Sequence, residues 1–233
     1  MADELSLRCA GGQALIAYLH GDDPEAVSRR VQTLAAALEQ GLGDLLVDLV
    51  PSYASLLVSY DALRTDHYQL SRRIRALARA GGAASTGAAA ERGRLLEVPT
   101  YYAPESGADL EVVAAHGGLA VGELIALHSG REYRVYAIGF APGFAYLGSV
   151  DPRLAMPRLS TPRQRVPRGA VAIADRQTAI YPADSPGGWH LIGRTALRMF
   201  DPAADPPVPV RVGDRVRFRP VSRADYLAAG GQL

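Results

Sequence analysis

The sequence predicts two domains, a small α+β domain followed by a mostly-β barrel domain. Before residue 81, two amphipathic helical patterns alternate with pairs of short strand patterns, an order typical of helices packed on one face of an antiparallel sheet. After residue 93, short strand patterns recur between Gly and Pro turns, with few helical patterns. A stretch rich in Gly, Ala and Ser, Gly81–Gly93, separates them. We therefore expect domains at residues 1–90 and 91–233.

Turn and capping residues indicate where the helices and strands of the first domain begin and end. Leu5–Leu19 is typical of two strands around a Gly11-Gly12 turn. Asp23 as a cap and Pro24 at the first helical position predict the start of a helix with an inward apolar stripe. The remaining predicted elements are two paired strands, Leu45–Val50 and Ser55–Tyr60, and a second helix, Asp66–Arg79.

The second domain is predicted to contain many short strands and only two short helices. The helices, Asp109–His116 and Val121–His128, are separated by Gly117-Gly118. The predicted strands are Arg94–Tyr102, Glu132–Ile138, Val171–Ala174, Thr178–Pro182, His190–Gly193, Ala196–Phe200 and Arg215–Pro220. Regular Gly and Pro turns between such strands indicate a β-barrel.

Composition excludes several kinds of chemistry. The 233 residues are 48% hydrophobic and 21% charged, which is ordinary for a globular protein, and the net charge of +1 gives no reason to expect nucleic acid or an anionic membrane as a partner. All 25 basic residues are arginine. The chain therefore has no P-loop lysine, no Schiff-base lysine and no lysine general base.

The cysteine and histidine pattern gives no indication of a metal site. Cys9 is the single cysteine, so neither an intrachain disulfide nor a multi-cysteine site can form. His116 and His128 lie twelve residues apart without other ligand-rich clusters, and we expect a structural or surface role for them. The N-terminus is acidic and no apolar run approaches membrane-spanning length, so we expect a cytoplasmic protein without a membrane partner.

The stretch Gly139–Thr195 carries the most unusual pattern in the chain. Glycines and prolines recur every few residues, and Phe140, Phe144 and Tyr146 alternate so that an extended segment would place them on one face. That face either packs into the barrel or forms a preformed apolar groove for a ligand or a partner chain. Ser185-Pro-Gly-Gly-Trp189 is expected to form a rigid turn that presents the indole ring.

Positive charge accumulates in the same stretch. Eight arginines between Gly139 and Arg198 face only three acids, Asp151, Asp175 and Asp184. Guanidinium groups suit carboxylate or phosphate ligands. For Arg163, Arg165 and Arg194, anion binding and a solvated surface are both open interpretations, whereas we interpret Arg153, Arg158 and Arg176 as solvated surface.

A hydrolytic triad is not indicated. Asp184, Ser185 and His190 lie close together in the sequence, but no Gly-x-Ser-x-Gly nucleophile elbow is present, and proximity in sequence does not establish a triad's geometry. The chain also has neither of the two common glycine-rich nucleotide motifs. A nucleotide bound here would need another arrangement, such as arginines with an aromatic stack, and much of its site would belong to partner proteins.

Four motifs in this half of the chain carry a family resemblance. They are Gly139-Phe-Ala-Pro-Gly-Phe-Ala-Tyr-Leu-Gly148, Pro162-Arg-Gln-Arg-Val-Pro167, Gln177-Thr178 followed by Ile180-Tyr-Pro182, and Ser185-Pro-Gly-Gly-Trp-His-Leu-Ile-Gly-Arg-Thr195. The chain resembles the KipI/PxpB family of 5-oxoprolinase components, also called allophanate hydrolase subunit 1, which we relate to carboxyltransferase subdomains A and B. The resemblance implies a cyclophilin-like barrel.

The resemblance also implies a function. It indicates the PxpB component of a cytoplasmic ATP-dependent 5-oxoprolinase, with ATP used by the complex. The implied partners are a KipA/PxpC-like protein, also called allophanate hydrolase subunit 2, and a PxpA-like protein. No biotin carrier is expected, because biotin attachment needs a lysine. The alternative is a KipI-like inhibitor of a sensor histidine kinase, whose helix would dock in the same groove.

Two sets of site residues are expected on this basis. The substrate- or anion-binding candidates are Arg163, Arg165, Gln177, Tyr181 and Arg194. The groove candidates are Phe140, Pro142, Phe144, Tyr146, Pro186, Gly187 and Trp189. No catalytic residue is assigned.

Overall fold

The chain divides into two units, Met1–Arg92 and Gly93–Leu233. The computed structural model describes residues 5–81 and 93–233. The predicted linker therefore lies almost entirely in residues 82–92, outside the described residues, as does the boundary expected near residue 90.

The first unit is an antiparallel four-stranded sheet with two helices. Its elements are β1 (Leu5–Cys9), β2 (Ala14–Leu19), α1 (Pro24–Leu42), a 3-10 turn (Gly43–Leu45), β3 (Leu46–Pro51), β4 (Ser55–Tyr60) and α2 (His67–Gly81). The strand order is β1-β2-β4-β3. These elements confirm the predicted pattern of strand pairs alternating with helices.

Local sequence explains how the helices of this unit begin and pack. The Asp23 carboxylate accepts a hydrogen bond from the N–H of Glu25 at 2.9 Å, and Pro24 occupies the first helical turn of α1, as predicted. Alternate residues of β2 and β4 are buried against the helices, as period-two strands require. The core of the unit is Leu15, Ala17, Leu19, Val27, Val31, Leu34, Leu38, Leu42, Leu56, Val58, Tyr60, Leu70 and Ile74.

The second unit is built around a seven-stranded mixed sheet. Its elements are β5 (Leu95–Thr100), α3 (Leu110–His116), α4 (Val121–Ser129), β6 (Tyr133–Ile138), β7 (Ala145–Gly148), a 3-10 turn (Pro152–Leu154), β8 (Arg163–Val166), β9 (Ala170–Ala174), β10 (Gln177–Ile180), β11 (Ser185–Gly187), β12 (His190–Arg194), β13 (Arg215–Pro220) and α5 (Arg223–Ala228). The sheet order is β12-β9-β10-β7-β6-β13-β5, and β8 and β11 form a separate two-stranded ribbon.

The two edges of the seven-stranded sheet meet. Tyr101, directly after β5, donates its N–H to the carbonyl of Arg194 in β12 at 2.8 Å and accepts the return hydrogen bond at 2.9 Å. This bridge converts the sheet into a nearly closed barrel. The strand β13 pairs with β5 in parallel, and the other neighbouring strands are antiparallel.

Alternation along the strands produces two apolar layers. Val171, Ile173, Ile180 and Ile192 join one core with α3, α4 and β13. Their neighbours on the same strands point to the opposite face and belong to a second cluster, made of Phe144, Val166, Ala170, Ala172, Ala174, Ala179, Tyr181, Trp189 and Leu191. The β8–β11 ribbon covers this second face through Val166.

Some elements differ from the sequence predictions. The predicted strand Ala196–Phe200 is wrong: the segment is irregular, because β12 already pairs with β9 on one side and with Tyr101 on the other, while Met199 is buried in the core without a ladder. The sequence patterns also did not reveal β7, β8, β11 and α5. The α5 cap was recognisable in Ser222-Arg-Ala-Asp225, where the serine hydroxyl accepts from the Asp225 N–H at 3.1 Å.

Within residues 5–81 and 93–233, no single helix has the length and apolar character needed to cross a membrane. The bent pair α3 and α4, at 92° to each other, passes that test by length and composition only.

Candidate functional site

The loop between β6 and β7 is held in an uncommon conformation. The N–H of Gly139 donates to the carbonyl of Phe144 at 3.0 Å, which closes the loop at its base. Gly143 has φ +80°, and a Cβ there would lie 2.2 Å from the carbonyl oxygen of Met199, so only glycine fits. Phe140 has φ 70°, a left-handed conformation that is rare for a bulky residue and that clusters at binding and active sites.

Four aromatic rings gather around Phe144. Its ring centroid lies 5.3 Å from Phe140, 4.9 Å from Tyr146, 5.3 Å from Tyr181 and 5.7 Å from Trp189, each in an edge-to-face arrangement. Small residues on the strands beneath leave room for the rings; they are Ala170, Ala172, Ala174 and Ala179. The cluster is therefore a consequence of alternation, with alanines and aromatics sharing one face of the sheet.

The cluster forms one wall of an open cavity of about 250 Å³. Its lining consists of Phe140, Phe144, Tyr146, Arg158, Pro162, Tyr181, Pro186, Gly187, Gly188 and Trp189. Phe144, Tyr181 and Trp189 are buried, whereas Phe140 is 68% exposed. We call this cavity the aromatic pocket.

The aromatic pocket contains six of the seven predicted groove residues. The exception is Pro142, which is exposed and does not line the pocket. Of the predicted anion-binding candidates, only Tyr181 lines it. Burial raises the pKa of the Tyr181 hydroxyl, while an N–H from the Trp189 main chain and the charge of Arg158 oppose that rise.

Residues of β11 and of the segment just before β8 also line the pocket. Gly187 approaches the Tyr181 ring so closely that a Cβ would lie 2.2 Å from the phenolic oxygen. The N–H of Leu159 donates to the carbonyl of Gly188 at 2.8 Å, which ties the segment before β8 to the pocket rim. Glycine at position 187 is thus required by packing against Tyr181.

The predicted arginines have partners inside the protein. Arg163 donates to the carboxylate of Asp109 at 2.7 Å, and Arg165 pairs with Asp184 at 2.6 Å. Arg194 donates through Nε to the main-chain carbonyl of Arg168 at 2.9 Å. None of the three lines the aromatic pocket. An anion binding at these groups would compete with the internal partners, so their role in binding stays a prediction.

Asp184 connects two of these segments. It accepts from the N–H of Arg168 and from the Arg165 side chain, and these two contacts, in that order, hold the pKa of its carboxyl below the ordinary value. Gln177, the fifth anion-binding candidate, lies on β10 opposite Ala174 and Gly148 and does not line the pocket.

Arg158 was missed by sequence reasoning, which interpreted it as solvated surface. Its guanidinium lies over the Trp189 ring, 5.7 Å from the centroid, and it lines the pocket. Pro162 and Gly188 were also missed. Pro162 and Gly188 belong to two of the four motifs, so their place in those motifs could have identified them. Arg158 lies between two motifs, and its sequence position gave no indication of a role in the pocket.

The three residues that suggested a triad do not form one. His190 Nε2 donates to the carbonyl of Pro157 at 2.9 Å, and Asp184 is occupied by Arg165 and Arg168. Ser185 Oγ is buried without a hydrogen-bond partner. No hydrogen bond among the described residues links these three side chains to one another.

His128 lies fully buried in the barrel core. Tyr102 donates its O–H to Nδ1 at 2.7 Å, and Nε2 donates to Thr178 Oγ1 at 3.0 Å, because the Thr178 proton is already given to the carbonyl of Ala172. Burial lowers the His128 pKa to about 3. The structural role expected for this histidine is confirmed. Among residues 5–81 and 93–233, no group of three or more His, Cys, Asp or Glu side chains is arranged to hold a metal ion.

A larger cavity of about 390 Å³ lies beside α5. Pro99, Arg198, Arg219 and Tyr226 are among its lining residues, and of the four motifs only the terminal Thr195 reaches it. The aromatic pocket, to whose lining all four motifs contribute, is therefore the candidate functional site.

The fold and motifs agree with comparison to known families. The family described as "Carboxyltransferase domain, subdomain C and D" matches residues 5–210, and the chain belongs to this family. The expected assignment to subdomains A and B is corrected by this match. A relative from Bacillus subtilis, named as the B subunit of 5-oxoprolinase, is 37% identical over an alignment of 234 residues that covers 94% of this chain and 93% of the relative.

Two further similarities cover only part of the other protein. The B subunit of 5-oxoprolinase from Escherichia coli O157:H7 is 50% identical over 127 residues, 54% of this chain and 58% of the relative. The crystal structure of TTHA0988 matches with a TM-score of 0.78 and 39% identity, covering 91% of this chain and 40% of that chain. The matched part of this chain thus spans less than two thirds of these two proteins.

Proposed function

We propose that the chain is the PxpB component of an ATP-dependent 5-oxoprolinase, which opens 5-oxo-L-proline to glutamate together with a PxpC-like and a PxpA-like partner. The observation that carries the proposal is the similarity over nearly the whole length to the Bacillus subtilis protein named as the B subunit of 5-oxoprolinase. We further propose that the barrel is of the cyclophilin-like type and that the complex is cytoplasmic. The named relatives favour this function over the inhibition of a histidine kinase.

The reaction requires a difficult amide bond to be opened. A lactam is stabilised by resonance. ATP, as co-substrate, would transfer a phosphoryl group to the lactam oxygen, so that water can attack the carbonyl carbon and phosphate can leave. Cationic and hydrogen-bonding groups placed at the carbonyl and phosphoryl oxygens would stabilise the charge that develops there. In this chain the proposed polar groups are Arg163, Arg165, Gln177, Tyr181 and Arg194, with Phe144, Tyr146 and Trp189 as the apolar walls.

The exposed pair Arg165 and Asp184 is the part of this set best suited to act on an external anion. The Arg165 side chain is 79% exposed, so an incoming carboxylate or phosphate can replace Asp184 without unfolding the core. Arg163 is only 29% exposed and its partner Asp109 is 10% exposed, so we propose a positioning role for it.

The test is 5-oxoproline-dependent ATP hydrolysis by the chain alone and with candidate PxpC-like and PxpA-like proteins from the same organism. Turnover only in the full mixture is expected. A stable complex without turnover would overturn the proposed function. Arg165→Ala is expected to lower kcat in the mixture, whereas Arg153→Ala, which removes a less exposed pair with Asp151 that does not line the pocket, should leave kcat unchanged.

A further inference from the structure

We propose that Arg158 recognises the carboxylate of a small ring-shaped acid bound in the aromatic pocket. This inference rests on the proposed function for the identity of that acid, 5-oxo-L-proline, and on the structure for the chemistry of the pocket.

Hydrogen bonds hold the main chain in place on both sides of Arg158. The carbonyl of Pro157 accepts from His190 Nε2 at 2.9 Å, and the N–H of Leu159 donates to the carbonyl of Gly188 at 2.8 Å. The residues before and after Arg158 are therefore tied to β12 and to the pocket rim. These bonds fix the main chain at Arg158, so that less main-chain freedom is lost when a ligand binds.

The guanidinium keeps its charge available. It lies over the Trp189 ring, a contact that orients it without neutralising it. Arg163 and Arg165 are each paired with a carboxylate, whereas no carboxylate among the described residues pairs with Arg158. As far as the described residues show, the pocket rim thus carries the uncompensated positive charge of Arg158.

The remaining walls suit a small ring. The cavity of about 250 Å³ is lined by aromatic rings, two prolines, two glycines and Arg158, and it lies just below the roughly 300–1,000 Å³ range of ligand pockets. Tyr181 adds a hydroxyl group that accepts from the Trp189 main chain and can donate its proton to a carbonyl oxygen. The pyrrolidinone ring of 5-oxoproline offers an apolar face, one carboxylate for Arg158 and one lactam oxygen for Tyr181.

A nucleotide fits this chemistry less well. A triphosphate carries several negative charges, and the pocket rim offers one free guanidinium because the neighbouring arginines are paired within the protein. The single charge instead matches a single carboxylate.

Trp189 is the only tryptophan in the chain, so its fluorescence reports directly on the pocket. We expect 5-oxo-L-proline to change its emission in a saturable way. Arg158→Gln should weaken the apparent affinity by at least about tenfold, the size of a lost hydrogen bond between charged groups. Arg153→Gln, an exposed arginine outside the pocket, is the control and should bind as the parent protein does.

A ligand without the carboxylate isolates the interaction. 2-Pyrrolidinone has the same ring and lactam but no charge, so it should bind the parent protein and Arg158→Gln with equal affinity. Equal loss of both ligands in the variant would mean that Arg158 only shapes the pocket, and it would overturn the inference. Saturable binding of ATP, with no response to 5-oxoproline, would also overturn it.

The assembled complex separates this inference from the proposed function. If the complex hydrolyses ATP in response to 5-oxoproline, Arg158→Gln should raise the KM for 5-oxoproline at least about tenfold and leave the KM for ATP unchanged. An unchanged KM for 5-oxoproline would overturn the inference while the function stands. If the complex is inactive, the function fails, and the Trp189 titration alone decides the inference.

Discussion

Arg163 and Asp109 form an ion pair with 2.7 Å between Nη2 and Oδ1, and they are 54 residues apart in the sequence. The other oxygen of Asp109 accepts from the N–H of Leu191 at 2.7 Å, so the pair joins β8, the start of α3 and β12. Arg163 also donates to the carbonyl of Trp189 at 3.3 Å. Through these contacts, Arg163 holds the wall of the aromatic pocket in place.

Removing this pair should destabilise the protein. Arg163→Ala leaves a carboxylate that is only 10% exposed without its cation, and we expect a loss of about 2–4 kcal/mol in the free energy of unfolding. Arg165→Ala, which breaks an exposed pair in the same strand, should cost less than about 1 kcal/mol. Urea unfolding of both variants measures the difference, and equal losses would contradict the positioning role of Arg163.

His128 predicts a particular dependence of stability on pH. Its pKa is lowered to about 3 in the folded protein by burial, against about 6.5 in the unfolded chain. The stability that comes from burying the neutral ring is fully present above pH 6.5. It decreases as the pH falls from 6.5 toward 3, because only the unfolded chain then binds the proton, by about 1.4 kcal/mol per pH unit.

His128→Gln isolates this contribution. The glutamine does not titrate, so the free energy of unfolding should fall less steeply between pH 6 and pH 4, by about 1.4 kcal/mol per pH unit, although the variant is less stable at pH 7. His116→Gln on α3 is the control, since His116 is exposed and should leave the slope unchanged. Urea unfolding at several pH values gives both slopes, and identical slopes for the parent protein and His128→Gln would contradict the prediction.

The parts of the fold that sequence could predict are those fixed by local rules. Three such rules act over only a few residues. They are the helix cap at Asp23, the alternation of buried and partly exposed residues in β4, and the glycines and prolines at the turns of the second unit. The grouping of Phe144 and Tyr146 on one face follows from the same alternation.

The remaining features depend on partners that are distant in sequence. The barrel closes where Tyr101 meets Arg194, and Arg158 lies over Trp189, 31 residues further along the chain. The sequence around Asp109 likewise gives no indication that this residue pairs with Arg163. Charge counting over Gly139–Arg198 therefore overestimated the free cations, because Asp109 lies outside that window.

Gly187 should tolerate no side chain. A Cβ would lie 2.2 Å from Oη and 2.8 Å from Cζ of Tyr181, a buried ring with little freedom to move. Gly187→Ala is expected to cost about 1–3 kcal/mol through overpacking and to change Trp189 emission. The neighbouring Gly188→Ala is the matched control, since its Cβ would meet nothing closer than 3.6 Å. Thermal unfolding compares the two, and equal midpoints would show that Tyr181 moves aside freely.

Replacement by alanine should reduce the free energy of unfolding much more at Phe144 than at Phe140. Phe144 is buried at the centre of the aromatic cluster, so Phe144→Ala should cost about 3–5 kcal/mol. Phe140 is 68% exposed and touches the cluster mainly through one edge-to-face contact, so Phe140→Ala should cost less than about 1 kcal/mol. Urea unfolding of both variants tests this contrast.

The functional effect of Phe140→Ala should be large despite its small effect on stability. An exposed aromatic ring held at φ 70° at the mouth of the pocket is largely outside the core, so we propose that its conformation serves contact with a ligand or a partner protein. We expect kcat/KM for 5-oxoproline in the assembled complex to fall by at least about tenfold, as for loss of an aromatic contact at a binding site. Val112→Ala, an exposed apolar residue on α3, should leave activity unchanged. Full activity of Phe140→Ala would mean that the loop conformation serves the fold alone.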